Sequence, residues 1–193
     1  MKTLGIGLIG SGFMGRCHVN AYNSIASIFE VSCRPVLKIL ADATPDLASQ
    51  QAKALQFEQS TADWQELVNH PEVDVVDITA PNHLHHPIAV AALNLGKPVY
   101  CEKPLACTLA EAEEMADLAK AQQIPTLVGY NYLQNPLMKT AREIVQSGEI
   151  GEPISFRGVH AEDYMANPLS PYTTRLDASQ GGGVLYDLSL IHI

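Results

Sequence analysis

The fold is decided by the stretch Gly10-Ser11-Gly12-Phe13-Met14-Gly15, a G-x-G-x-x-G motif that directly follows the apolar run Leu4–Ile9. In this motif the first glycine permits a tight turn, the second lets the backbone approach a pyrophosphate, and the third lets the helix pack on the strand. The N–H groups and the dipole of the helix then point at the phosphates. We interpret the motif as a dinucleotide site, and a glycine turn with only a structural role is the alternative.

A second predicted strand, Val36–Leu40, leads to Asp42, whose carboxylate can accept hydrogen bonds from an adenosine ribose. Asp42 lies 27 positions after Gly15, a long spacing that predicts an extended turn around Glu30–Arg34. The carboxylate favours NAD over NADP. Arg34 and Lys38 are close in sequence and keep NADP open.

Short apolar runs alternate with helical patterns, as in a parallel sheet that is buried on both faces. The predicted strands are Leu4–Ile9, Val36–Leu40, Val73–Ile78, Val99–Cys101 and Thr126–Val128. The predicted helices are Met14–Ile25, Asp46–Leu55, Asp63–Val68, Leu84–Leu95 and Leu109–Gln122. Thr108 and Glu111 form a capping box before the last of these helices. The order predicts an α/β fold with a doubly wound parallel sheet.

The pattern changes after Tyr130, and we place a domain boundary near residue 130. A predicted helix, Pro136–Gln146, precedes a predicted strand, Ile154–His160. A polar loop follows over residues 161–180 and leads to three consecutive glycines at 181–183. Loops of this length are uncommon inside compact domains and are usually functional.

Composition narrows the class of protein. The chain has 193 residues, a formal charge of −9 and 47% hydrophobic residues, which is typical of a globular protein. The acidic excess argues against a nucleic-acid partner, which would need clustered Lys and Arg. The run Leu4–Ile9 is far shorter than the ~20 residues of a membrane span, and no signal peptide is recognisable. The four cysteines lack C-x-x-C spacing. We expect a cytoplasmic protein with reduced cysteines and no membrane partner.

The segment 79–86 follows the strand Val73–Ile78, at a carboxyl end that faces the ligand crevice in such sheets. It contains His83, His85 and His86. We interpret these histidines as capping a helix beside the nucleotide. A zinc site is the alternative, but adjacent histidines could not both face one ion from a helix, and no carboxylate lies at ligand spacing.

Glu102-Lys103-Pro104 follows the strand Val99–Cys101, again at a carboxyl end. A partly desolvated lysine beside the cationic nicotinamide can exchange a proton with a substrate alcohol. Pro104 keeps Lys103 out of helical geometry and permits a cis peptide bond. An ordinary surface lysine beside a glutamate is the alternative.

In their order and spacing, these segments together resemble the Gfo/Idh/MocA oxidoreductases. The resemblance covers essentially the whole chain: residues 5–15, 41–42, 73–85, 101–104, 129–132, 147–151 and 181–187. It implies a Rossmann-type domain over 1–130 and the beginning of an α+β mixed-sheet domain over 131–193, which binds substrate and forms homo-oligomers. Within the family the chain is most similar to members that act on anhydrosugars such as levoglucosan, on inositols or on related cyclic polyols.

The resemblance also implies roles for individual residues. Lys103 and Asp187 would be catalytic, and a second group would line the cofactor. The motifs and the resemblance together assign to the NAD site Gly10, Ser11, Gly12, Phe13, Met14, Asp42, Ala80, Pro81, Asn82, His85, Glu102, Lys103, Asn131 and Arg175. The candidates for contacts with substrate are Tyr130, Tyr132, His160, Asp163 and Tyr164. A solvated polar loop is the alternative for the last four, and Thr174 replaces the Trp that often precedes Arg175 in relatives.

The end of the chain departs from the family pattern. Relatives carry a histidine four residues after the aspartate that matches Asp187, whereas this chain has Ile191 there and His192 one position later. One residue on a helix is a rotation of ~100°, so we assign His192 no catalytic role. We interpret residues 189–193 as non-native sequence that resembles a translated transposon adaptor, which would truncate the second domain. A genuine short protein is the alternative.

The sequence therefore predicts an NAD(P)-dependent oxidoreductase that transfers hydride between nicotinamide and a hydroxyl of a sugar, anhydrosugar or cyclic polyol. Two alternatives remain open. One is an NAD-binding regulator or fragment without turnover. The other is a redox-neutral enzyme that cleaves glycosides through transient oxidation and recycles a tightly held NAD.

Overall fold

A computed structural model describes residues 1–159, 163, 166–173 and 176–183. The chain folds as two compact units, Met1–Gly129 and Tyr130–Ile193. The strands of the first unit are β1 (Lys2–Ile9), β2 (Cys33–Ala41), β3 (Gln59–Thr61), β4 (Val75–Ile78), β5 (Val99–Cys101) and β6 (Thr126–Val128). Its helices are α1 (Phe13–Ile28), α2 (Pro45–Leu55), α3 (Trp64–Asn69), α4 (His85–Asn94) and α5 (Leu109–Gln122), with a 3₁₀ turn at Asn82–Leu84.

The six strands form one parallel sheet in the order β3-β2-β1-β4-β5-β6. Helices cover both faces, because successive residues of a strand point to opposite sides. Leu8 of β1 packs in a cluster with residues of α1 and α2, whereas its neighbour Ile9 packs in a second cluster with residues of α3, α4 and α5. The predicted α/β fold with a doubly wound parallel sheet is confirmed.

The second unit contains one α-helix among its described residues, α6 (Pro136–Gln146), which has the predicted bounds. A 3₁₀ turn at Asn131–Gln134 precedes α6, and another lies at Ala178–Gln180. Asn135 caps α6, because its side-chain oxygen accepts a hydrogen bond from the N–H of Leu137 at 2.9 Å.

Two predicted strands need correction, and one observed strand was not predicted. The strand predicted from Val73 begins at Val75, because Asp74 instead bonds Gly5: its carboxylate accepts from the Gly5 N–H at 2.7 Å. β3 was not predicted, since Gln59–Thr61 is polar and is ordered by pairing with β2. The predicted strand Ile154–His160 is wrong over its described part, residues 154–159, which are not in a strand. A strand requires a hydrogen-bonded neighbour, and no described segment pairs with these residues.

Candidate functional site

The strand ends lie at one level, which brings four connecting segments to the same edge of the sheet. Ile9 pairs with Ala41 and with Ile78, and Ile78 pairs with Cys101. The residues that follow these strand ends are Gly10, Asp42, Thr79 and Glu102. The chain leaves β1 toward β2 on one side, while β4 lies on the other. Ligands of open α/β sheets bind at such a reversal of strand order, outside the carboxyl ends.

The glycine loop between β1 and α1 has two crowded positions and one open one. Gly10 has a φ of +97°, and a Cβ atom there would lie 2.7 Å from the carbonyl oxygen of Thr79. A Cβ atom on Gly15 would overlap the carbonyl oxygen of Gly10, so α1 packs tightly on the turn. A Cβ atom on Gly12 would meet nothing within 4 Å, and Gly12 gives α1 no side-chain cap. The open position at a helix N-terminus fits a pyrophosphate.

Asp42 joins the glycine loop to the end of β2. One carboxylate oxygen accepts hydrogen bonds from the Ser11 N–H at 2.9 Å and from the Ser11 hydroxyl. The other oxygen accepts from the N–H of Ala43 at 2.7 Å. Asp42 is half-buried, and each carboxylate oxygen has two lone pairs, so it can accept further bonds from ribose hydroxyls. Phe13 and Met14, in the first turn of α1, are exposed and half-buried, respectively.

The segment after β4 is held by His85, the first residue of α4. The His85 ring is buried, with Nδ1 2.8 Å from the Pro104 carbonyl oxygen and Nε2 2.9 Å from the Ala80 carbonyl oxygen. Burial lowers the pKa of His85, although both carbonyls oppose this shift. His85 thus connects the loops that follow β4 and β5. Pro81 is exposed and Asn82 half-buried in the same segment.

The segment after β5 places Lys103 at this edge of the sheet. Glu102 donates its N–H to the Ile78 carbonyl oxygen at 2.9 Å, and its carboxylate accepts from the Lys103 N–H at 3.1 Å. The peptide bond between Lys103 and Pro104 is cis, which the sequence allowed. Lys103 is half-buried.

Beneath this edge lies a buried polar cluster that was not predicted from the sequence. His18 of α1 lies between the carboxylates of Asp77 and Glu102, and its ring stacks on Tyr100 with centroids 4.5 Å apart. Tyr22 donates its hydroxyl hydrogen to Asp77 at 2.8 Å. Two signals could have revealed the cluster: Asp77 is an acid inside a buried apolar strand, and His18 lies one turn from the buried Gly15.

The remaining predicted residues belong to the second unit. Tyr130 is half-buried, and Asn131, Tyr132 and Asp163 are exposed. Tyr130 accepts a hydrogen bond at its carbonyl from Leu133 at 3.1 Å within the 3₁₀ turn. The other candidates lie outside the described residues: His160, Tyr164, Arg175, Asp187 and His192.

Neither a metal site nor a membrane span is found in the part of the chain that the structure describes. No group of three or more His, Cys, Asp or Glu side chains there could hold a metal ion. His86, one of the histidines considered for zinc, instead pairs with Glu114 at 2.9 Å. Among the same residues, no helix is both long enough and apolar enough to cross a bilayer.

The strand order and the glycine loop at the end of β1 define a Rossmann domain, which binds dinucleotides. Comparison with known families agrees. Residues 4–130 match an oxidoreductase family with an NAD-binding Rossmann fold, and residues 138–192 match the Gfo/Idh/MocA C-terminal domain. The chain belongs to the Gfo/Idh/MocA oxidoreductase family, and the predicted resemblance is confirmed.

Two relatives and one solved structure in the family are similar to most of this chain. Levoglucosan dehydrogenase of Pseudarthrobacter phenanthrenivorans is 42% identical over 191 residues, which are 98% of this chain and 49% of the relative. Inositol 2-dehydrogenase of Salmonella typhimurium is 32% identical over 174 residues, 89% of this chain and 49% of the relative. A solved levoglucosan dehydrogenase in complex with NADH and levoglucosan has 42% identity and a TM-score of 0.92, over 97% of this chain and 51% of that one. The chain spans about half the length of the relatives it matches.

Proposed function

We propose that the protein is an NAD-dependent dehydrogenase that transfers hydride between nicotinamide and a hydroxyl-bearing carbon of an anhydrosugar, sugar or cyclic polyol. The observation that carries the proposal is the position of Lys103. It lies two residues beyond the end of β5, at the edge of the sheet that also bears the glycine loop and Asp42. The names of the relatives, levoglucosan dehydrogenase and inositol 2-dehydrogenase, support this substrate class.

The residues present fit NAD. Main-chain N–H groups at Gly12, Phe13 and Met14 would bind the pyrophosphate, because Gly12 leaves the N-terminus of α1 open. Gly10 and Ser11 shape the turn, and Asp42 would bind the adenosine ribose. The nicotinamide side of the site would be lined by Ala80, Pro81, Asn82, His85, Glu102, Lys103, Asn131 and Arg175.

The position of the cations favours NAD over NADP. Arg34 lies near the start of β2, roughly 25 Å from Asp42 at ~3.3 Å per residue. Lys38 is paired with Glu58 at 2.8 Å and Glu72 at 3.3 Å. Residues 43–46 contribute no cation to bind a 2′-phosphate.

We therefore expect the chain to bind NAD at least about tenfold more tightly than NADP, because Asp42 would face the 2′-phosphate with a like charge. Calorimetric titration of both nucleotides measures the ratio. Asp42→Asn should bring the dissociation constants for NAD and NADP closer together. Asp46→Asn changes the charge on the nearby exposed turn of α2 and should leave their ratio unchanged. Equal affinities in the unmodified chain would contradict the assignment of Asp42.

Lys103 is the proposed catalytic base. Bound NAD⁺ would supply the acceptor for the hydride. The Lys103 amine would accept the hydroxyl proton of the substrate as the C–H hydrogen leaves with its electron pair as hydride, so that a carbonyl forms at that carbon. Asp187 would assist from the second unit. Tyr130, Tyr132, His160 and Asp163 are the proposed contacts with the substrate hydroxyls.

The test uses the complete product of the gene that encodes this chain, assayed for NADH formation with levoglucosan, myo-inositol and 1,5-anhydroglucitol. Lys103→Met should lower kcat about 10²–10⁴-fold and leave the Kd for NAD within about twofold, because the proton acceptor is lost while the nucleotide contacts remain. Lys53→Met, on the exposed face of α2, is the control and should not change kcat.

Other outcomes identify the alternative functions. Binding of NAD without turnover of any polyol would favour a regulator. Turnover without release of NADH, on a tightly held nucleotide, would favour redox-neutral glycoside cleavage. Homo-oligomerisation, which the family resemblance implies, remains a proposal, and so does a cytoplasmic location.

A further inference from the structure

Apart from Glu102, the buried cluster around His18 has no place in the nucleotide contacts proposed above, yet it connects α1 to the segment that bears Lys103. We propose that His18 is a positioning residue that holds the Glu102 carboxylate and, through it, the main chain of Lys103. This inference rests on the proposed function only where it concerns turnover by Lys103. The effect of His18 on the main chain of Lys103 can be tested without NAD.

The His18 imidazole lies between two acids, Asp77 on β4 and Glu102 directly after β5. Nδ1 lies 3.0 Å from each carboxylate oxygen of Asp77, and Nε2 lies 3.2 Å from one oxygen of Glu102. His18 is 6% exposed, Asp77 is 0% exposed and Glu102 is 5% exposed. Water therefore cannot take over these hydrogen bonds, so the orientation of the ring determines the position of the Glu102 carboxylate.

Two ionised carboxylates on one imidazole require a positively charged ring. Ionised carboxylates only accept hydrogen bonds, so both ring nitrogens must carry a hydrogen. Tyr100 adds a stacked aromatic face, with an interplanar angle of 10°, that suits a cation. A neutral ring would turn a nitrogen lone pair toward one of the two acids, and the resulting repulsion would displace Glu102.

A hydrogen bond connects the Glu102 carboxylate to the main chain of Lys103. The carboxylate oxygen that does not face His18 accepts from the Lys103 N–H at 3.1 Å. On the β6 side the carboxylate lies against Gly129, where a Cβ atom would overlap it. With His18 on one side and Gly129 on another, the Glu102 side chain has little room, so it fixes the peptide before the Lys103 side chain.

His18 is the imidazole of this cluster, and its pKa lies above the ordinary value of 6.5. Burial opposes its charge, but the hydrogen bonds and charges of Asp77 and Glu102 outweigh burial and raise the pKa of His18 to about 9. Burial raises the pKa of Tyr22, on the same helix. It also raises the pKa of Tyr100, on β5, to about 12. Burial also raises the pKa of Asp77, against the hydrogen bonds from His18 and Tyr22.

The first test follows the Lys103 backbone amide in ¹⁵N-labelled chain by NMR between pH 6 and pH 10. In the unmodified chain the amide resonance should shift with a midpoint near pH 9, because loss of the His18 proton releases Glu102. His18→Gln should abolish that transition. His86→Gln, the same substitution at a half-buried histidine of α4 that contacts Glu114, should retain it. A Lys103 resonance that is equally pH-dependent in all three proteins would overturn the proposal.

The second test measures kcat in the complete gene product with His18→Gln, Glu102→Gln and the double variant. If His18 acts through Glu102, each single variant should lose about tenfold to a hundredfold in kcat, and the double variant should lose no more than the worse single one. Additive losses, or a His18→Gln protein that is less stable but keeps full kcat, would refute a positioning role. If the unmodified protein proves inactive, the dehydrogenase proposal fails while the NMR result still decides the role of His18.

Discussion

Gly12 and Gly15 belong to one motif, but their surroundings differ at the scale of single atoms. A Cβ atom on Gly12 would point into open space, whereas one on Gly15 would overlap the Gly10 carbonyl oxygen and approach the Thr79 hydroxyl to 2.9 Å. The space beside Gly12 is therefore open to a ligand, whereas Gly15 is required by the packing of α1. The motif and its strand–helix context predicted the packing role of Gly15, and the pyrophosphate contact of Gly12 stays a prediction.

Gly12→Ala should leave the free energy of unfolding nearly unchanged and weaken NAD binding on the order of tenfold, because the methyl group occupies the space for the pyrophosphate. Gly15→Ala should instead destabilise the chain by about 1–3 kcal/mol, since backbone atoms must shift. Urea unfolding and calorimetric NAD titration of both variants separate the two effects. An unchanged NAD affinity in the Gly12→Ala chain would contradict the assignment of the glycine loop to the NAD site.

Helix α5 shows how far a local signal determines an element. Its predicted bounds and its capping box are both observed: the Thr108 hydroxyl accepts from the Glu111 N–H at 3.3 Å, and Glu111 accepts from the Thr108 N–H at 3.0 Å. Glu111 also accepts from the Cys107 N–H at 3.1 Å. The box therefore anchors the end of the segment that begins at Lys103.

Thr108→Ala should lower the free energy of unfolding by about 1 kcal/mol, because N–H groups at the start of α5 lose their acceptor. Glu113→Gln, on the exposed face of the same helix, is the matched control and should change it by less than about 0.5 kcal/mol. Chemical denaturation measures both. An equal loss in the two variants would mean that charge, and not the cap, stabilises this helix.

Elements that depend on partners were predicted less well. β3 is three polar residues and is a strand only because β2 lies beside it. Residues 154–159 have the composition of a strand, yet Ile154, Phe156 and Val159 are 98%, 86% and 94% exposed and lie in no strand. Propensity alone does not order a strand, because its hydrogen bonds are made to another segment.

The folded molecule as a whole should respond to pH through His18. Its folded pKa of about 9 lies above the ordinary value of 6.5, so its contribution to stability is full below pH 6.5 and is lost as the pH rises to about 9. We expect the difference in free energy of unfolding between the unmodified chain and His18→Gln to shrink by about 2–3 kcal/mol over that range. Urea titrations at pH 6, 7.5 and 9 test this, and a constant difference would show that His18 is uncharged in the fold.

The sequence by itself determined the parallel sheet, the glycine loop, and the positions of Asp42 and Lys103 just after the ends of strands. Each of these depends on neighbours along the chain, namely apolar runs, glycine spacing and the residues that follow a strand. Tertiary structure alone decided the cluster of His18, Tyr22, Asp77, Tyr100 and Glu102. Its members come from α1, β4, β5 and the residue that follows β5, up to 84 positions apart. Their charges are tolerable in the core only because folding brings each acid onto a donor, which no local pattern records.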